Sequence, residues 1–220
     1  SDQVWRPMYN ELIINMFLSF CTDDKIHRVA YAASFGVDCW EYSKSQTKKC
    51  RDLIKLFDCI SVREASGIAL CKKHLGCNAI EVLDPTLLLT CDKYSSICEG
   101  VVPATSKYLA AYVLDMNDEK RKVIEAIASK ERLPIKWFHT DKSCVLSVEE
   151  WIASFRDAAF VVTDSFHGTV FSIIFNHDFY SIVNENRGAS RFYSLLLKFG
   201  LMERVIASSD VSKIKGNRLE

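Results

Sequence analysis

Residues 157–176 carry the arrangement best suited to chemistry: Thr163-Asp164-Ser165-Phe166-His167-Gly168 joins an apolar run (158–163) to an apolar helical run that closes at Asn176. His167 stands where the turn becomes the helix. The layout brings a titratable imidazole and unpaired backbone N–H groups to the carboxyl end of a buried strand. In open α/β sheets ligands bind there. Helix N-termini also favour anions, through their free N–H groups and the helix dipole. The chemistry expected is acid–base work beside a phosphate- or carboxylate-bearing ligand. Asp164 or Ser165 can cap the helix, and Gly168 allows close approach of a ligand or of backbone.

Arg63 holds a matching position in the first half of the chain. It follows the short apolar run Cys59–Val62, just before a helical pattern. A guanidinium there can grip a carboxylate or phosphate with its two-pronged fork; an ion pair with Glu64 or another acid is the structural alternative. Arg187 and Arg191 lie in a third strand-to-helix turn, after 178–183, where a solvated loop is the alternative. Asp2, Gln3 and Trp5 offer the residue types of a sugar-binding loop. His27, His74, His139 and His177 have no ligand spacing, and Asp84 reads as turn chemistry before Pro85. No P-loop, Ser-His-Asp order or metal cluster is present.

The elements that position these residues alternate. Strand-like runs at 28–35, 59–63 and 79–83 are separated by helical spacing at 45–57 and 64–74, with Gly76 as terminator. Residues 91–106 mix Cys, Asp, Lys, Ser, Glu, Gly and Pro and read as a linker. A second alternation follows: strands at 108–114, 133–139, 158–163 and 178–183, helices at 118–130, 147–156, 166–176 and 190–199. Ser147 and Glu150 form a capping box, and Gly200 ends the last helix. This pattern predicts an α/β protein with parallel sheets. It divides into an N-terminal domain (1–95) and a C-terminal domain (96–220). The second is a complete doubly wound unit. The first is incomplete, because no βα unit precedes residues 1–19, and half a sheet leaves an open edge.

The 220 residues are 49% hydrophobic and 25% charged, with zero formal net charge. That composition is globular. No basic excess points to nucleic acid or to a membrane surface. No apolar run approaches the ~20 residues of a membrane span, and no secretory signal is evident. The nine cysteines are scattered without a Cys-x-x-Cys pair, which fits free thiols in a reducing cytoplasm better than a disulfide scaffold. The opening Ser1-Asp2-Gln3 without Met, and the closing Leu219-Glu220 after a basic stretch, fit an excised piece with a terminal cloning scar.

Together the motifs resemble the polysaccharide pyruvyl transferase family. The carrying segments are 1–5 (Ser1-Asp2-Gln3-Val4-Trp5), 28–36, 60–67 around Arg63, 82–86 around Asp84-Pro85, and 163–172 around His167, in family order across essentially the whole chain. The resemblance implies two Rossmann-like domains of GT-B type and an enzyme that moves a pyruvyl group from phosphoenolpyruvate onto two hydroxyls of a saccharide, forming a cyclic ketal. It implies a donor in an interdomain cleft, with His167 as the acid–base residue. Arg63, Ser165, Phe166, Gly168, Arg187 and Arg191 are then donor-binding, and Asp2 and Trp5 acceptor-binding. Some members carry Arg at the position of Ser165; Arg187 or Arg191 would replace it here. Family chains are longer, with a βα region ahead of the opening loop. No cofactor or metal is implied, phosphoenolpyruvate and a saccharide acceptor are the expected partners, and the expected setting is the cytoplasm of a bacterium making surface polysaccharide. The alternatives are a sugar-nucleotide glycosyltransferase of similar architecture and a non-catalytic fragment or interaction domain. Oligomeric state is not encoded in any pattern seen.

Overall fold

The computed structural model describes residues 2–23, 25–138, 146–183 and 187–207. His139, Cys144, Asn184–Asn186 and Leu219–Glu220 lie outside the described residues. The chain divides into two compact units. One holds Ser1–Leu88 with Glu185–Gly200, and the other Leu89–Asn184 with Leu201–Glu220. The expected boundary after residue 95 falls inside a helix, and residues 185–200 belong with the first unit rather than the second.

The first unit runs β1 (Val29–Ala33), α1 (Lys44–Ile54), β2 (Cys59–Val62), α2 (Ala65–Leu70) and β3 (Ile80–Glu81), and it also contains α7 (Ser190–Phe199). Its three strands are parallel in the order β1-β2-β3. Ser43 and Gln46 close a capping box on α1, a signal present in the sequence but not read there. α2 continues into a wider π-type turn, Cys71–Leu75, and Gly76 ends it in a left-handed conformation. The third strand shrinks to two residues because Asp84-Pro85 opens a 3-10 turn over Pro85–Leu88. Ala30, Ala33, Ile60 and Val62 turn into a core with Ile54, Leu70 and Leu75, while Val29, Tyr31 and Ile80 are exposed. The opening segment is part of that core: Ile13 and Phe17 are buried from a 3-10 helix, Ile13–Phe17.

The second unit runs α3 (Cys91–Ile97), β4 (Leu109–Tyr112), α4 (Asp118–Glu131), β5 (Ile135–Phe138), α5 (Val148–Arg156), β6 (Phe160–Thr163), α6 (Phe166–Ile174), β7 (Asp178–Ile182) and β8 (Val205–Ile206). α3 corrects the linker expectation. Polar composition hid a short stripe: Tyr94 and Cys98, four residues apart, are both buried, and the Tyr94 ring meets Phe171 edge-on at 4.9 Å. All five strands are parallel, in the order β5-β4-β6-β7-β8. Alternate residues of β4 serve opposite faces. Leu109 and Ala111 pack on Val123, Ile124 and Ile127 of α4. Tyr112 meets Phe138, Trp151 and Phe155, on the side of α5. Helices thus cover both faces of a parallel sheet, as a doubly wound unit requires. The predicted capping box of α5, Ser147 with Glu150, is present.

Candidate functional site

In chain order the second sheet reads 2-1-3-4-5. The chain steps from β4 out to β5, then returns across β4 to β6. Beyond the carboxyl ends of β4 and β6 the connections leave in opposite directions, and this switch point is where doubly wound sheets place ligands. The residues after β6 are Asp164, Ser165, Phe166 and His167. Ser165 is the N-cap of α6, accepting from the Gly168 N–H at 3.3 Å. Asp164 does not cap. Its fully buried carboxylate accepts from the N–H groups of Leu114 (2.6 Å) and Asp115 (3.2 Å), just past β4, and from Lys120 Nζ (2.7 Å). Lys120 Nζ also donates to the Asp115 carbonyl at 2.8 Å. The two sides of the switch point are therefore tied by one buried ion pair, which sequence reasoning missed. Its only sequence signal was an Asp directly after a strand.

His167 lies in the first turn of α6 and is half-buried, its ring edge-on to Phe166 at 5.5 Å. Gly168 serves packing. A Cβ there would sit 3.0 Å from Thr163 Cβ and closer still to Thr163 Oγ1. The close approach expected at this glycine is that of the strand's own last side chain.

The first unit repeats the design. Val62 ends β2, and Gly67, five residues on, would bring a Cβ within 3.0 Å of Val62. Arg63 takes the place of Asp164. Its side chain is 1% exposed and lies between two carboxylates, Asp84 Oδ2 at 2.5 Å and Asp2 Oδ1 at 2.7 Å. Glu64, the expected alternative partner, instead accepts from Phe35 N (2.7 Å), Gly36 N (3.1 Å) and Ser34 Oγ (3.1 Å). Burial drives the Glu64 carboxyl above the usual range, against the opposing pull of Arg63 and these donors. Burial acts the same way on Asp84, but hydrogen bonds from Thr86 and Arg63, and the Arg63 charge, hold it below the usual range. Asp84 thus does its expected turn chemistry and anchors Arg63 as well.

Arg191, in the first turn of α7, approaches the same Asp2 carboxylate at 3.5 Å. Burial, with Arg63 as neighbour, pulls its guanidinium down to about 10, with Asp2 and Glu64 opposing. Two of the predicted arginines therefore converge on one carboxylate. Arg187 joins through its backbone, its carbonyl accepting from Gln3 Nε2 and Arg191 Nη2, each at 3.1 Å. Trp5 has a different place from the one expected of an acceptor platform. It is 1% exposed and stacked on Phe17 at 4.8 Å, with its Nε1 donating to the Met16 carbonyl. A ring closed in a core presents no face to a sugar. Asp2 is 65% exposed.

Among the described residues no three His, Cys, Asp or Glu side chains gather as a metal site, and no helix is long and apolar enough to cross a membrane. The polysaccharide pyruvyl transferase family model matches residues 2–186, a span that contains the β2–α2 and β6–α6 turns. Comparison with curated proteins returns no match. The chain belongs to the polysaccharide pyruvyl transferase family.

Proposed function

We propose that this pyruvyl transferase uses phosphoenolpyruvate as donor and joins its three-carbon unit to two hydroxyls of a saccharide as a cyclic ketal. The observation that supports this most is the place of His167, in the first turn of α6 beside the β4/β6 switch point. The imidazolium gives a proton to the methylene carbon of the donor. A sugar hydroxyl adds to the neighbouring carbon and gives its proton to the now neutral imidazole. Phosphate then leaves with the C–O bonding pair and takes that proton, and the second hydroxyl closes the ring, its proton returning to the imidazole. Imidazole titrates in the range such a step needs. The α6 N-terminus disfavours imidazolium, and the donor's negative charge at contact distance restores it, so the acid forms with donor bound.

The donor also needs cations. Arg63 and Arg191 already grip one carboxylate, that of Asp2. A donor carboxylate or phosphate can take the place of that exposed side chain, and the paired guanidinium groups then stabilise charge on the departing phosphate. Arg191 would thereby supply the clamp that Ser165 lacks. The same reading carries a GT-B arrangement and a bacterial cytoplasm as its setting.

Phosphate release from phosphoenolpyruvate in the presence of a saccharide panel tests the reading. His167→Gln should lower turnover by about 10²–10⁴-fold, the usual worth of a positioned acid, with an unchanged unfolding midpoint. Retained turnover removes His167 from the chemistry. Thermal stabilisation by a nucleotide sugar and none by phosphoenolpyruvate would replace the reading with glycosyl transfer.

A further inference from the structure

A hollow in the first unit has a chemistry opposite to that of the arginine pair. Its volume is about 450 Å³, and it is lined by the segment 37–39, by Ser66 in the first turn of α2, and by Ser190, Tyr193 and Ser194 on one face of α7. That volume lies within the range of small-molecule sites. Among the described residues no Lys, Arg or His lines it, and Asp38 adds a carboxylate. The Asp38 carboxylate weighs against an anion such as the donor there.

The walls suit an uncharged, polyhydroxylated ring. Ser190 Oγ donates to the Gly36 carbonyl at 3.0 Å and keeps its acceptor lone pairs. Ser194 Oγ accepts from the Ala65 N–H at 3.0 Å and keeps its O–H. Ser66 Oγ is shielded from solvent and has no hydrogen-bond partner among the described residues. A hydroxyl in that condition lacks a partner, which a ligand hydroxyl supplies once the Ser66 side chain turns toward the hollow. Tyr193 presents a ring that is 39% exposed, and Val37 and Ala189 add apolar surface. A pyranose has the matching surface, C–H groups on its faces and hydroxyls on its rim. Ser66 also stands four residues after the end of β2, the place His167 holds after β6.

We propose that this hollow is a subsite for a neutral hexose unit, with Ser66, Ser194 and Asp38 bonding hydroxyls and Tyr193 covering one sugar face. Its role as the acceptor subsite rests on the pyruvyl-transfer reading; the pocket chemistry does not. A uronic acid unit should bind more weakly than a neutral one, because its carboxylate would meet Asp38.

Cys39 lines the hollow and is exposed, and its thiol reports occupancy. Iodoacetamide labelling of the whole chain, followed peptide by peptide, gives Cys39 alongside Cys59 and Cys91, exposed thiols that do not line it. A neutral hexose disaccharide at twice its dissociation constant should slow labelling of Cys39 about threefold, with Cys59 and Cys91 unchanged. Phosphoenolpyruvate should not slow it. Ser66→Ala and Tyr193→Ala should each remove most of the protection. The proposal is overturned if no disaccharide of glucose, galactose or mannose protects Cys39, or if both variants stay fully protected. Stabilisation by phosphoenolpyruvate without saccharide protection sinks the subsite and spares the transfer reading. Saccharide protection with no phosphate release from phosphoenolpyruvate does the reverse.

Discussion

Arg63 is asked to do two things, and the two carboxylates that hold it separate them. Asp84 and Arg63 are each 1% exposed at the side chain, whereas Asp2 is 65% exposed. Removing one partner of a buried ion pair strands the other charge, at about 3–5 kcal/mol. Asp84→Ala and Arg63→Ala should each lower stability by that amount. Asp2→Ala, which removes a carboxylate that is itself mostly in solvent and leaves Arg63 its bond to Asp84, should cost less, about 1 kcal/mol. Arg63→Met with Asp84→Leu strands neither member of that pair, and should fall short of the native chain by less than either single variant, because what is lost is the Thr86 N–H bond to Asp84 at 3.0 Å and the pull of Arg63 on Glu64. Urea unfolding gives the free energies, and hydrogen exchange of β2 peptides assigns them to the first unit. Under the proposed function, Asp2→Ala also vacates the arginine pair and should raise the thermal stabilisation given by phosphoenolpyruvate. Equal costs for Asp2→Ala and Asp84→Ala would refute the assignment of Asp84 as the anchor. A weaker response to phosphoenolpyruvate in Asp2→Ala would refute donor exchange at Asp2.

Three further outcomes are expected. Gly168→Ala should destabilise by about 1–3 kcal/mol through overpacking against Thr163, and Thr163→Ala in the same chain should recover part of it; urea midpoints measure both. Asp164→Asn should weaken the tie between the β4 and β6 ends, speeding hydrogen exchange at the Leu114 and Asp115 amides, and should lower turnover while the pH profile of His167 persists, as befits a positioning residue. In acid, Asp84 and Glu64 act with opposite sign. The depressed Asp84 contributes stability above about pH 3.9, the unfolded value, that is lost as pH falls through its folded value. The raised Glu64 contributes stability below about pH 4.3 that is lost as pH rises through its folded value. Asp84→Asn should flatten the acid limb of the stability curve, and Glu64→Gln should raise stability on the neutral side relative to the acid side.

The alternation of strands and helices was legible because each element keeps one period over its length. α7 was read at 190–199, and α4 within one residue. Its assignment to the first unit was not legible, since a helical stripe does not say which sheet it covers. α3 was missed because two buried positions in a polar run make a weak periodic signal. The site divides in the same way. His167, Arg63 and Arg191 were expected at strand-to-helix turns, and they stand there. The partners of Arg63 were not identified, because Asp2 and Asp84 are 61 and 21 residues away from it, and the Asp164–Lys120 pair, 44 residues apart, was hidden in the same way. Trp5 was misread because an aromatic next to acids fits a sugar loop as well as it fits a core.

The two βα turns share one logic that no single motif displays. Each strand ends in a residue that packs on a glycine five places later, Val62 on Gly67 and Thr163 on Gly168. The residue immediately after each strand is charged, buried and bonded to other loops: Arg63 to Asp2 and Asp84, Asp164 to Leu114, Asp115 and Lys120. That first position locks the turn. The fourth position, Ser66 or His167, lies in the first helical turn and is only half-buried. A charge directly after a strand therefore reads first as a fastener. It becomes a binding group only where one of its partners is exposed enough to be exchanged, which is true of Arg63 through Asp2 and untrue of Asp164, whose ion-pair partner Lys120 is itself buried.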